Sequence, residues 1–590
     1  MIKISRMKFN LHLLAFVGAV LITASTSFAL EPKHTGRISL EYWATESCSS
    51  LEELVANPHF PDRPDGRSSI ESFSTIAQWT ETYSLRVRGY LHPLSDGKYI
   101  FITGGGVVLS LGESDDPSTA RVVTALDKKR SASVTLKAGE KYYIEALYSA
   151  QKNDIGLTVG WTLPNGISLP VIEGTYLSSY RGFTNIPEPH QVLSSLSRQH
   201  PRLLASAYDF AVLRDRIRAG GRYAEWYGII MERGQKLLET ELQKYNYNDP
   251  TTAKSSRMPD IMETLGFIYN IEQVGGDENL AKKCVDRAWA ELEAAANFVN
   301  WDNDHFALIP HMAHGYGMGY DWFYTAFSNE QRAVVRRAIV ELGIKKYEIE
   351  MNTGPFGWHQ WTVMKGNWNS AINGETGLAI LAIAGEDDYF CEDIFHTLLV
   401  NTENFSLPTF YPDGGTKESP SYFNFKTNRF LPFFSSMETA LGTDFGMKDA
   451  RGFDQMGLLP IYSMGPSGSF FNYSDGNTKW QAPPELMYMA KAFNTPLYAW
   501  IYRDRFSDDV SVRSILWNDD RGTREDLLNL PTDKYFSDAE VVYLRGSWDD
   551  PETSWAGFAS TDNWDFIHGQ LDQGTFVFDA LGERWATDFG

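Results

Sequence analysis

Cysteine is scarce: Cys48, Cys284 and Cys391 are three residues in 590, far apart, odd in number and in no CxxC pair. That excludes a disulfide scaffold and a cysteine-rich zinc site, and leaves buried thiols as the expectation. After residue 29 there is no run of about 18 apolar residues free of charge, so no membrane-spanning helix is expected. Positive charge is also short. The chain has 53 Lys+Arg against 75 Asp+Glu, a formal net charge of −22, which argues against a nucleic-acid partner. No strict internal repeat is present, which argues against a regular solenoid. What is abundant is aromatic: 17 Trp, 29 Tyr and 35 Phe, enough both for core packing and for stacking on sugar rings. Hydrophobic residues at 43% and charged residues at 22% exclude a disordered chain.

Residues 1–29 read as a signal peptide. Lys3, Arg6 and Lys8 form a basic start, residues 13–22 a short apolar run, and Ser27-Phe28-Ala29 a small-x-small cleavage site. The mature protein is therefore expected to be secreted or periplasmic. Residues 30–180 read as a β-sandwich, since LRVRGYL, KYIFITG, VVLSL, KYYIEALY and IGLTVGWTL are short, β-branched and aromatic, and separated by Asp-Gly, Ala-Gly and Asn-Gly turns. Residues 181–200 form a linker with Pro and Ser. From 201 to 525 the apolar period becomes helical, in about ten segments that include 257–271, 367–384, 421–441 and 484–503. Helices in series predict an all-α region wound into an incomplete (α/α) toroid. From 530 to 590 strands return as an antiparallel sheet (EVVYLRGSW, SWAGFAST, GTFVFDAL). The last strand meets Gly590 with no closing element, so this β-domain is expected to be truncated there and to continue.

Four clusters could carry chemistry. Residues 357–374 crowd Trp358, His359, Lys365, Asn367, Trp368, Asn369 and Asn373 around a helix start. Asn is a poor helix-interior residue, and capping needs only one, so a polar site is the reading. Residues 411–429 place Ser419 and Pro420 at a helix start, with Tyr422, Lys426 and Arg429 at i, i+4 and i+7 on one face. Two cations beside a phenol would pull its pKa below about 10. Residues 471–477 (FNYSDGN) read as a turn with no chemistry of their own. In the last cluster His568, Gln570 and Asp572 share a loop, and Asp588 follows a strand.

Two resemblances follow. GRISLEYW, LRVRGYLHPLSDGKYIFI, LKAGEKYYIEALY and GLTVGWTLPNG, in that order, resemble a PA14 domain. Such domains are often appended to glycan-active enzymes, and some bind sugar through an adjacent Asp pair and calcium. Here residues 103–106 (Thr-Gly-Gly-Gly) occupy that place, and Asp115-Asp116 lies further on. From HPRLLAS at His200 to Gly590, clusters one, two and four resemble the heparinase II/III family of polysaccharide lyases, with related alginate lyases and glycuronan epimerases. The resemblance implies a helical toroid followed by stacked antiparallel sheets. It implies that Asn367 contacts the substrate carboxylate, that Tyr422 is the catalytic Tyr, and that His568 begins an H-x-H-x-D pattern. It aligns Asp588 with an Asp that binds a structural zinc in some members. Two departures stand out: Gln570 replaces the second His, a poor zinc ligand, and Trp368 follows Asn367 where many members have a base. His359 is the candidate replacement.

The implied reaction is β-elimination on a uronic-acid polymer. Asn367 and His568 would neutralise the carboxylate, and Tyr422 would serve as base and acid. Trp358, Trp368, Asn369, Lys365, Lys426, Arg429 and Glu418 are candidate substrate contacts, with Lys417 and Arg584 adding positive charge. No cofactor is required for the chemistry; a structural zinc or calcium would be an addition, with Gln570 and Asp588 its candidate ligands. The partner is an acidic polysaccharide. The competing readings are a uronate C5-epimerase, a non-catalytic glycan-binding protein and, through Asp413 and Glu418, a glycoside hydrolase.

Overall fold

The computed structural model describes residues 35–44, 50–77, 79–80, 82–125, 131–150, 156–242, 257–298, 301, 306–354, 357–386, 391–479, 484–506, 509–561, 568–571 and 573–589. Residues 1–29, where a signal peptide is expected, and Cys48 and Asp572 lie outside these residues.

The N-terminal region is two antiparallel sheets around one core. The larger runs in the order Gly66–Ile70, Ile38–Trp43, Tyr83–Leu91, Tyr142–Ala150, Val107–Leu111, Arg121–Thr124, with Leu177–Ser179 added alongside Tyr83–Leu91. The smaller runs Ser168–Leu169, Val159–Thr162, Gly97–Thr103, Ser131–Leu136. Alternation drives the packing. In Gly97–Thr103, Tyr99 and Phe101 point inward while Lys98, Ile100 and Ile102 face out. They meet Trp161 across the sheet and Leu40, Val87 and Ala146 from the other layer. Asp116 caps a short turn through Ser118, and Asp115 pairs with Lys141 at 2.9 Å.

The middle of the chain is helical. Asn367–Ile383 is its centre, with nearly every residue buried. It packs against Leu308–Trp322 and Ser419–Leu441. Gly374 and Gly377 permit the close approach to the second of these: a Cβ on Gly374 would lie 2.4 Å from the Arg429 carbonyl, and one on Gly377 would strike the Phe433 ring. Two boundaries differ from the sequence reading. The 484–503 segment is two helices, Glu485–Ala492 and Pro496–Arg505, because Asn494 adopts φ +48 and Pro496 starts a new helix. Glu418 occupies the N-cap position of Ser419–Leu441, one residue earlier than expected and without a side-chain capping bond, and Ser419 itself holds φ +68. The sandwich docks on this helix's C-terminal end, where Arg67 donates to the Ala440 carbonyl and Ser197 Oγ. Cys284 and Cys391 are buried thiols, both pushed up to about 12 by burial.

A five-stranded antiparallel sheet follows: Lys534–Phe536, Val541–Arg545, Trp555–Ala559, Phe576–Ala580, Glu583–Ala586. Its inner face (Val541, Tyr543, Trp555, Val577) joins the helical core, and Tyr543 stacks on Trp555. Gly557 lies against the Phe471 ring. This contact fixes the 471–477 loop beneath the start of the Ser419–Leu441 helix. Among the described residues no helix is long and apolar enough to cross a membrane.

Candidate active site

Tyr422 lies in the first turn of Ser419–Leu441, half-buried at the helix surface. His568 comes from the loop before Phe576–Ala580, and its ring stacks on Tyr422 with centroids 3.7 Å apart and planes 18° from parallel. The third member comes from the 471–477 loop. Asp475 Oδ2 lies 2.9 Å from His568 Nδ1, and Asp475 Oδ1 accepts from Gln570 Nε2 at 2.7 Å. The loop is pinned on both sides: Tyr473 OH donates to the Thr416 carbonyl at 2.7 Å, and Ser474 Oγ to the His568 carbonyl at 2.6 Å. With a carboxylate on Nδ1, the neutral imidazole carries its proton there and its lone pair on Nε2. Among the described residues Nε2 is buried with no hydrogen-bond partner. Partial burial would raise Asp475, but the bonds from Gln570 and His568 outweigh it and hold the carboxyl below its usual range.

Asp475 is the residue that sequence reasoning missed. It sits in an ordinary Ser-Asp-Gly turn, 93 residues from the histidine it orients. Only its tertiary neighbour distinguishes it.

The expectation for the Tyr422 pKa is overturned. Burial, then the charges of Asp475 and Glu418, raise it above the ordinary phenol value. Lys426 and Arg429 do not act on it. Lys426 is fully buried, donates to Thr416 Oγ1 at 2.8 Å and Thr409 Oγ1 at 3.0 Å, and lies 3.8 Å from Glu418 Oε2. Burial brings its ammonium down to about 8 against the pull of Glu418. Arg429 turns to Glu375, Nε to Oε1 3.3 Å. Among the described residues the Tyr422 hydroxyl makes no hydrogen bond.

Asn367 starts its helix one layer deeper, 1% exposed. Its backbone N–H and its amide both donate to Glu418 Oε1, at 3.2 and 2.6 Å. Glu418 is thus the joint between Asn367, Lys426 and the helix that carries Tyr422, rather than an exposed substrate contact. Asn369 is a correction. It belongs with Asn373, Asn401 and Ser406 to a closed buried network, in which Asn369 Nδ2 donates to Asn401 Oδ1 at 2.8 Å and Asn369 Oδ1 accepts from Ser406 Oγ at 2.5 Å. Every partner is internal, so its side chain has no face toward a ligand. His359 is not brought to Tyr422 by any contact among the described residues. Its Nδ1 lies 2.7 Å from Glu350 Oε2, which also accepts from Trp361 Nε1. Trp368 is half-buried against the core, Lys365 exposed and Lys417 half-buried. The side chain of Trp358 falls outside the described residues. Arg584 is tied to Asp579 and to the carbonyls of Ser469 and Phe470.

The expected metal ligands each have a protein partner among the described residues. Gln570 is bound to Asp475, and the Asp588 carboxylate accepts from Thr575 Oγ1. Among the described residues the side chains placed to share an ion are His311, His314 and Glu375, whose ligand atoms lie within 4.8 Å of one another.

No family model matches the chain. A stretch of 178 residues is 27% identical to the mouse N-acetyl-beta-glucosaminyl-glycoprotein 4-beta-N-acetylgalactosaminyltransferase 1, covering 26% of this chain and 17% of that protein. The chain therefore spans under a fifth of the length of the curated relative it matches. Among solved structures, it is similar to the epithelial adhesin 9 A domain of Candida glabrata in complex with Galb1-4GlcNAc, at 15% identity over 24% of this chain and 88% of that one, TM-score 0.19. It is similar to the PA14 domain of an antifreeze protein, at 15% identity over 24% and 89%, TM-score 0.20. It is also similar to a PA14 sugar-binding domain from an RTX adhesin, at 12% identity over 25% and 99%, TM-score 0.20.

Proposed function

We propose that the protein is an exported lyase that cleaves a uronic-acid-containing polysaccharide by β-elimination. In this reading the helical region is an incomplete toroid whose cleft ends at Tyr422, and the N-terminal sandwich is a PA14-like accessory domain. The observation that carries it is the stack of Tyr422 on His568, with His568 oriented by Asp475.

The chemistry needs two proton movements. The C5 proton, α to the carboxylate, must leave, and the O4 leaving group must gain a proton. A phenol held above its ordinary pKa rests protonated, which suits Tyr422 as the acid toward O4. His568, with its proton fixed on Nδ1, offers the Nε2 lone pair to the C5 proton. The arriving sugar must open the contact that buries Nε2, because catalytic hydrogen bonds often form only in the substrate complex. Asp475 stabilises the imidazolium that results. The bond from C4 to O4 breaks, a C4=C5 double bond forms, and the two protons are those on His568 and from Tyr422. The mouse relative is a glycosyltransferase by name, which agrees with a carbohydrate-related role and no more than that.

The test is ultraviolet absorbance of the unsaturated uronate after incubation with heparan, chondroitin, alginate and ulvan chains. A product from one of them, lost in Tyr422→Phe, supports the reading; no product from any of them sinks it. One observation favours the non-catalytic glycan-binding reading: Nε2 of His568, the proposed base, is buried. Polymer binding without any unsaturated product would select it.

A further inference from the structure

The reaction above leaves one charged cluster unused. Glu375, fully buried on Asn367–Ile383, gathers three donors on a single oxygen: His311 Nδ1 at 2.7 Å, Arg429 Nε at 3.3 Å and His314 Nδ1 at 3.4 Å. Burial would raise its carboxyl, but His311 and Arg429 prevail and keep it far below the usual range. The rear of the cluster is closed. His314 is buried, with Nε2 3.4 Å from Glu263, and Arg513 clamps Glu263 through Nε and Nη2. The front is open: the His311 and Arg429 side chains are 22% and 23% exposed. Arg429 Nη1 donates to its own helix at the Phe425 carbonyl. Its Nη2 and His311 Nε2 have no protein partner among the described residues.

This cluster is continuous with the catalytic pair. The Arg429 guanidinium lies 3.8 Å over the Phe425 ring, and Phe425 is 6.4 Å, centroid to centroid, from Tyr422. Tyr422, Phe425 and Arg429 sit at i, i+3 and i+7, one face of one helix, over about 10 Å at 1.5 Å per residue. The track is His568, Tyr422, Phe425, Arg429, His311: a proton-transfer pair, an aromatic floor, and two donors held by a buried carboxylate.

Resting on the lyase reading, we propose that His311 and Arg429, anchored by Glu375, form a second anion subsite. It takes the carboxylate or sulfate of a sugar further along the chain than the one at Tyr422, with Phe425 beneath the ring between. A metal ion is the poorer occupant of this cluster. The Arg429 guanidinium already lies on the carboxylate oxygen that would bind a dication, whereas an oxyanion meets the two free donors without displacing anything. The substrate is then an oligosaccharide with at least two anionic groups, and short fragments bind less well than long ones.

Calorimetric binding of saturated uronate di-, tetra- and hexasaccharides, sulfated and unsulfated, to wild type, Arg429→Gln and His311→Gln tests this, together with turnover of the polymer. Arg429→Gln should weaken binding of the longer oligosaccharides and raise KM by about 10–100-fold, the loss expected for hydrogen bonds to a charged group. It should leave kcat within about twofold and disaccharide affinity unmoved. His311→Gln, at a half-exposed position, should do the same more weakly. Preference for the sulfated series identifies sulfate as the occupant, and indifference to sulfation identifies the carboxylate. An equal loss at all lengths, or a fall in kcat with KM unchanged, overturns the subsite. So does a stoichiometric divalent metal in the purified protein that His311→Gln removes. Should wild type cleave no polymer, the lyase reading fails by itself. Length-dependent binding lost in Arg429→Gln would still support the subsite, and binding indifferent to both substitutions would overturn it.

Discussion

Two polar networks hang from the same buried helix, Asn367–Ile383. The first is neutral and shut. Asn369 and Asn373 bond to each other, to Asn401, Ser406 and Tyr347, and to the carbonyl of Trp361. Two residues beyond Asn373, the second is charged and half-open: Glu375 is buried, but the heads of His311 and Arg429 reach solvent. A polar group whose partners are all internal specifies packing. A polar group held firmly on one side and free on the other is preorganised for something that arrives. The Tyr422–His568–Asp475 group is of the second kind, because Asp475 fixes the ring while the Tyr422 hydroxyl stays uncommitted.

Substitutions should separate the two kinds cleanly. Tyr422→Phe should lower turnover by about 10²–10⁴-fold, the usual cost of losing a general acid, with polymer affinity and urea midpoint nearly unchanged. A near-normal rate would move the acid elsewhere. Asn373→Ala should do the reverse. It orphans the Tyr347 hydroxyl in the core, at roughly 1–3 kcal/mol, and removes one of the two donors on Asn401 Oδ1. The urea midpoint should drop while KM holds; a KM change without a stability change would place the network in the site after all. Asp475→Asn lies between them. Losing a hydrogen bond to a charged group should cost about 10–100-fold in kcat, with little effect on stability at its half-exposed position.

The smallest effect is in pH. Lys426 titrates at about 8 when folded, against 10.5 for the free side chain, so between these values the unfolded chain binds more protons and stability rises with pH. The urea midpoint of wild type should climb across that window, and Lys426→Met should flatten the climb. An unchanged climb in the variant would assign it to another group.

Much of the secondary structure was legible. Strand alternation and the helical period mark most elements within a few residues, because burial of one face repeats every two residues in a strand and every three to four in a helix. The misreadings share a cause. The 484–503 break depends on one Asn at positive φ, which apolar periodicity does not register. Asn369 and Asn367 look alike in sequence, yet one closes a network and the other meets Glu418, 51 residues away. The helical face of Tyr422, Lys426 and Arg429 is real as spacing. Lys426 nonetheless turns inward to Thr416 and Arg429 to Glu375, since a charge is cheaper to bury beside a partner than alone.

The sequence by itself determined the composition limits, the succession of β, α and β regions, and the residue types from which a proton-transfer site can be drawn. Local chemistry suffices for these, because periodicity, turn residues and helix starts are properties of neighbours along the chain. Only the tertiary structure decided which polar groups are closed and which are open, that Asp475 and not a cation stands beside His568 and Tyr422, and that Glu375 holds His311 and Arg429 together. Those outcomes depend on burial and on partners brought from distant segments. An isolated side chain carries no record of what will lie against it, so its charge, its pKa and its free donors are settled only once the helices and the C-terminal sheet have packed.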